Sequence, residues 1–262
     1  MIPSVSTLRS KWPSWPARRS ARSDSLISNI VGPRFAGLPD GDDAGTALLH
    51  DRMQGFLVVI AKDRDMREPL ARAAAARIGL DGEADPSAAP ASELETILSI
   101  GVQDIGEPFF DLLLEQAQTD EDPAFRAAAR GALARVEDPI LVRKLQAALL
   151  DGKFQGSDFL GVVFRQMVRQ ATTELTYAWL VENYDEIIDQ LPDSYRARAL
   201  PAFGSAFCSA ERADEWQAFV EARAEQLPGY ERTLAQATES VRLCAALRDA
   251  KAAELVTAFR NY

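Results

Sequence analysis

From Asp43 onward, apolar residues recur every three to four positions, with polar residues on the opposite side of the helix that this spacing describes. Leu49, Met53, Phe56, Leu57 and Ile60 follow an Asp42-Asp43 start signal and predict a first helix. The Phe-Leu-Val-Val-Ile run inside it resembles a buried strand, but the helical register on both sides favours helix. A second helix is predicted from about Asp65, with Met66, Leu70, Ala74 and Ile78 inward and a stop at Leu80-Asp81-Gly82. The stretch from Asp85-Pro86-Ser87 to Pro90 reads as loop.

The middle of the chain is punctuated by Glu107-Pro108, Asp122-Pro123 and Asp138-Pro139. An acidic side chain caps the free N–H groups of a helix start, and proline suits the first turn because its missing donor has no partner there. Helix starts are predicted near 91, 107, 123, 139, 157 and 173, about 16 residues apart. That interval holds one helix of about three turns plus a short turn. Helices of equal length joined by short turns run antiparallel, and their hairpins stack because none buries its own apolar stripe alone.

The last third continues this rhythm. Phe159, Leu160, Val163, Phe164, Met167 and Ala171 form one stripe, with Arg165, Gln166, Arg169 and Gln170 opposite. Leu175, Ala178 and Trp179 form the next, and Trp216, Phe219, Val220 and Ala224 follow a break at Ser209-Ala210-Glu211-Arg212. Tyr230, Leu234, Ala237, Val241 and Cys244 make a narrow seam for one neighbouring helix. Leu255, Val256 and Phe259 predict a short closing helix. The expected fold is all-α, with stacked antiparallel hairpins forming a curved HEAT- or armadillo-like solenoid over 43–262. Residues 1–42, with five prolines and no sustained periodicity, read as a disordered basic tail and linker.

Composition supports this class. Hydrophobic residues make up 47% and charged residues 26%, and alanine and leucine, which lose little entropy in a helix, outnumber β-branched residues. The first 23 residues carry five basic side chains and no acid; the net charge of -10 therefore leaves -15 on the rest. So acidic a body repels phosphate backbones, and no nucleic-acid partner is expected. No apolar run approaches the roughly 20 residues of a membrane span, so no membrane partner is expected either. The basic amino terminus lacks the apolar core of a secretory signal. It reads as a disordered extension or as sequence from a wrong start site, and a cytoplasmic location is the expectation.

The chemistry is sparse. Cys208 and Cys244 have no metal-ligand spacing and read as buried free thiols, Cys244 on the seam, with a single bridge left open. The single histidine, His50, stands without residues at a sequence spacing that suits a base or a ligand, and reads as structural or solvent-facing. No Gly-rich phosphate loop is present. Carboxylate pairs such as Asp42-Asp43 and Glu182 with Asp185 read as acidic helix ends. Arg165, Arg169, Arg196 and Arg198 read as surface charge, with contact to a peptide carboxylate as the functional alternative. No catalytic, cofactor-binding or metal residue is assigned, and the substrate-binding residues are unknown.

Three segments carry a resemblance: Arg169 to Asp185, Ala202 to Arg212, and Leu234 to Arg242, with helix starts at Asp122-Pro-Ala-Phe-Arg126 and Asp138-Pro-Ile-Leu-Val142. Their order and spacing resemble the carboxy-terminal helical domain of the zinc aminopeptidases of the aminopeptidase N and endoplasmic-reticulum aminopeptidase type. The likeness covers about Ala44 to Phe259. It implies a non-catalytic lid that encloses the substrate chamber and contacts the distal part of the peptide. The implied partners are an aminopeptidase catalytic domain, in cis or in trans, and a peptide substrate. The family's His-Glu-x-x-His and Gly-x-Met-Glu-Asn motifs are absent, so zinc is expected in the catalytic domain and not in this chain, which would be inactive alone. A stand-alone helical scaffold binding proteins or peptides is the alternative.

Overall fold

A computed structural model describes residues 43–154 and 156–260. The tail and linker expected over 1–42 lie outside the described residues. Twelve α-helices and no strand occur among those described. The chain divides into two compact units, Met1–Ala74 and Ala75–Tyr262, with the boundary inside a helix.

In the first unit, Asp43 caps α1 (Ala44–Gly55), accepting hydrogen bonds from the N–H groups of Gly45 and Thr46. The apolar run that resembled a strand is a π-helical turn, Phe56–Ile60, closed by a bond from Ala61 N–H to the Phe56 carbonyl. Arg67, from α2 (Arg64–Ile78), is buried and donates to the Val58 carbonyl at 2.9 Å. A widened turn leaves carbonyls short of helical partners, and the guanidinium supplies one. The widening also shifts the stripe. Leu57, Val58 and Ala61 are buried, whereas Leu49, Phe56 and Ile60, expected inward, are exposed.

The second unit begins with the end of α2. Gly79 adopts φ +74° and a Cβ there would lie 2.9 Å from backbone atoms of Gly82 and Ala84. Bonds from Leu80 N–H to Ala75 and from Gly79 N–H to Ala76 close the helix end, an arrangement that requires a left-handed residue. There follow α3 (Leu94–Asp104), α4 (Glu107–Thr119), α5 (Pro123–Leu133), α6 (Pro139–Leu150), α7 (Ser157–Met167) and α8 (Thr173–Glu182). Five of the six expected starts fall on the observed residue; the first lies at Leu94, after a turn over 91–93.

Asp122 and Asp138 cap α5 and α6 as expected, accepting from Ala124 N–H and Ile140 N–H at 2.8 Å. Glu107 does not. It lies inside α4, behind a Gly106 cap, and its carboxylate meets Lys144 of α6 at 2.7 Å. A glutamate is one methylene too long to fold back on its own helix start as aspartate does.

Alternate helices stack: α3 on α5, α5 on α7, and α7 on a 3-10 turn at Pro201–Ala206. Phe109, Phe110, Leu113, Phe125, Leu133, Leu145 and Phe159 fill the space between them. Gly101 admits Phe109, whose ring would lie 2.4 Å from a Cβ at that position. After the short helices α9 (Tyr184–Gln190) and α10 (Asp193–Ala199), the chain ends in α11 (Ala210–Glu221) and α12 (Glu231–Arg260).

Several stripes differ from the expectation. In α7, Phe164 is exposed and Gln166 is buried, because the Gln166 amide donates to the carbonyls of Ala134 and Val136. Ala171 is exposed. In α8, Thr176 and Leu180 are buried with Trp179, while Ala178 faces solvent. Ser209 begins α11 instead of breaking a helix: its hydroxyl accepts from Arg212 N–H. The closing helix does not exist separately, because nothing between Glu231 and Arg260 interrupts α12.

The cysteines are also corrected. Cys208 and Cys244 form a disulfide, and Cys244 is exposed; Ala245 takes the buried position on the seam after Val241. A helix turns 100° per residue, so a seam of fours and threes reaches the same side at either position.

Candidate functional site

A charged network joins α3, α5 and α7. The first turn of α3 places Glu95 beside Gly131 of α5, where a Cβ would lie 2.5 Å from the carboxylate. Having no side chain there, α5 lets Glu95 sit against its backbone. Glu95 Oε1 accepts from Arg135 Nη2 at 3.1 Å and from Arg165 Nη1 at 2.5 Å. Just past the end of α7, Arg169 Nη1 donates to Glu137 Oε1 at 3.0 Å. Arg130 of α5 meets Asp158 of α7 at 3.2 Å.

The turn carrying Arg135 is held from both sides. Gln103 of α3 donates to the Arg135 carbonyl at 2.9 Å, and Gln166 of α7 takes the carbonyls on either side of it. Two glutamine amides thus satisfy the carbonyls of the turn after α5 and fix the guanidinium's origin. Four arginines meet three carboxylates, a local excess of positive charge on an acidic protein. Each guanidinium has five N–H donors, and Arg165, with its side chain 45% exposed, spends one on Glu95. The network can bind and orient an anion. It has no nucleophile.

Of the arginines singled out in the sequence, Arg165 and Arg169 enter this network. Arg196 does not: it donates to the Leu191 carbonyl and pairs with Asp193 on its own short helix. Arg198 is exposed on α10, away from any ion pair among the described residues. Sequence reasoning missed Glu95, Arg130, Arg135 and Glu137. The available signal was Gly131 within an alanine-rich helix, a mark of close approach.

A second cluster lies around α11. Arg212 pairs with Glu174 and, at 2.7 Å, with Glu215, and sits 4.8 Å over the Tyr177 ring. Burial pushes the Tyr177 phenol up, partly offset by Arg212. Burial likewise pushes the Tyr184 phenol up to about 12, and its hydroxyl is buried without a hydrogen-bond partner among the described residues. Arg223 covers Tyr184 and Phe219 at 4.8 and 3.9 Å. These rings and guanidiniums pack α8, α9 and α11 together.

The described residues do not fit a zinc centre. Among the described residues no three His, Cys, Asp or Glu side chains converge as ligands, both cysteines are bonded to each other, and His50 is half-buried on α1. Among the same residues, no helix is long and apolar enough to cross a membrane.

Residues 1–243 match the family model of the ERAP1-like C-terminal domain. The alanine/arginine aminopeptidase of Saccharomyces cerevisiae is 28% identical over 162 residues, which span 61% of this chain and 18% of the yeast protein.

Proposed function

The chain belongs to the ERAP1-like C-terminal domain family, and from that premise we propose that it is the non-catalytic helical part of a zinc-dependent aminopeptidase. In this reading it covers the catalytic domain, encloses the substrate chamber and holds the distal end of the peptide. The observation that carries the reading is the network on α3, α5 and α7. Its guanidiniums are fixed by carboxylates and glutamines yet retain donors for a peptide carboxylate. Phe164 on α7 and Val168 at its end, exposed next to Arg165 and Arg169 in the sequence, offer apolar surface to an adjoining side chain. Leu48, Leu49, Phe56 and Ile60, exposed in the first unit, are the kind of apolar surface on which a neighbouring domain docks.

The contribution is to binding and not to bond cleavage. Zinc, when bound in the catalytic domain, would supply the activated water, and no step of that chemistry passes through residues of this chain. The helical part would instead set how long a peptide is retained, by offering its far carboxylate a partner.

The test is to add the chain in trans to an aminopeptidase catalytic domain and follow trimming of a peptide length series. The proposal expects a complex on size exclusion and an altered length dependence. Arg165→Ala with Arg169→Ala should raise KM roughly three- to tenfold for free-carboxylate peptides, and less for their amides, with kcat unchanged. No complex and no effect on trimming would refute the proposal and leave an independent helical scaffold.

A further inference from the structure

The Cys208–Cys244 disulfide sits where α12 changes character. Before it, Leu234, Ala237, Thr238 and Val241 are buried, and Ala245 is the last buried residue among those whose burial is described. From Ala246 to Ala258 every residue is exposed. Two links tie this border to the loop ahead of α11: the disulfide itself and a bond from Arg248 Nη1 to the Cys208 carbonyl at 2.7 Å. Both end on the same residue, Cys208. The family match stops at residue 243, one short of Cys244, so the bond and the exposed half-helix lie at and beyond its edge.

We propose that Cys208 and Cys244 form a redox clasp on the carboxy-terminal helix, closed in oxidising surroundings and opened by a dithiol reductant. Cys244 is the exposed partner, so its sulfur is the one an incoming thiolate reaches. Attack there forms a mixed disulfide and expels Cys208 as a thiolate, which takes up a proton. The reductant's second thiol then attacks its own sulfur in the mixed disulfide, releasing Cys244 as a thiol and leaving the reductant as a disulfide. Two electrons pass from the dithiol to the protein. In the open state the border keeps the Arg248 bond to the Cys208 carbonyl and the Arg242 pair with Asp214, and the exposed half of α12 beyond them frays, since a short helix without a packed face is marginal in water. Closure implies maturation in an oxidising compartment, against the cytoplasmic expectation from the sequence.

The experiment uses the full chain, purified in air and incubated with glutathione disulfide, then alkylated with or without dithiothreitol and weighed intact. The clasp predicts no adduct without reductant and two with it. Amide exchange of residues 242–260 should accelerate on reduction while α3 to α7 keep their protection, and Tm should fall by roughly 8–15 °C, from the closure of a 36-residue span. Cys208→Ser with Cys244→Ser should behave as the reduced protein and ignore dithiothreitol. If that variant does not fold, reduction of the unaltered chain gives the same readings. Two alkylated thiols in the untreated protein, or identical exchange of α12 in both states, would overturn the proposal.

Discussion

Replacing Gly204 with alanine should damage the fold far more than a single methyl suggests. A Cβ at that position would lie 2.0 Å from Trp216 Cδ1 and 2.3 Å from its Nε1, where ordinary contact needs about 3.5–4.0 Å. The indole has nowhere to retreat. Trp216 is 1% exposed, donates from Nε1 to the Pro201 carbonyl at 3.0 Å, and stacks on Phe219 with centroids 5.4 Å apart. Overpacking a rigid core costs about 1–3 kcal/mol, and leaving a buried N–H unpaired costs about as much again. The entropy gained by losing a glycine returns about 0.4–1 kcal/mol. The net expectation is a loss of about 1–5 kcal/mol, read by urea denaturation followed by circular dichroism. Gly161→Ala is the internal control, because Gly161 is exposed in α7 with open space around its Cβ position. That change should stabilise the protein by about 0.5–1 kcal/mol. A Gly204→Ala variant as stable as the parent, or stabilised like the control, would refute the packing argument for the junction of α11, α12 and the 3-10 turn.

Gly131→Ala should be milder despite a Cβ contact of 2.5 Å, because the atom met is the end of a flexible glutamate. Denaturation should place the variant within about 1 kcal/mol of the parent, as helix propensity offsets the lost ion pairs of Glu95; a loss like that of Gly204→Ala would contradict this. Tyr184→Phe tests the buried phenol. The folded pKa is raised above the unfolded one, so the unfolded chain loses its proton first and stability falls as pH rises from about 10 towards about 12. Near neutral pH the variant should be no less stable than the parent, since the hydroxyl it removes has no partner among the described residues. In that alkaline window its stability should fall less steeply. A parallel decline of both proteins would refute the assignment.

How far the site was legible follows from the range of each interaction. Arg165 and Arg169 were visible as charges opposite an apolar stripe because they stand one helical turn apart in the sequence, although the helix itself ends at Met167. Their carboxylate partners are Glu95, 70 positions before Arg165, and Glu137, 32 before Arg169, and no local pattern names a partner at such a distance. The same limit explains Gln166. Its amide is buried because the carbonyls of Ala134 and Val136, on another part of the chain, need donors.

By itself the sequence determined the all-α class and the phase of the helices from 107 to 173, because caps, prolines and glycines act within a few residues of where they stand. It also held the sign that α12 is continuous, since neither Gly nor Pro occurs from Glu231 to Arg260, although the apolar cluster at Leu255 and Val256 suggested a separate helix. Only the tertiary structure decided which side of each helix is covered, that Ala245 and not Cys244 closes the seam, and that Cys244 instead meets Cys208. The physical reason is that helical periodicity defines a stripe on one element. Burial, ion pairing and disulfide formation depend on what a second element brings to that stripe.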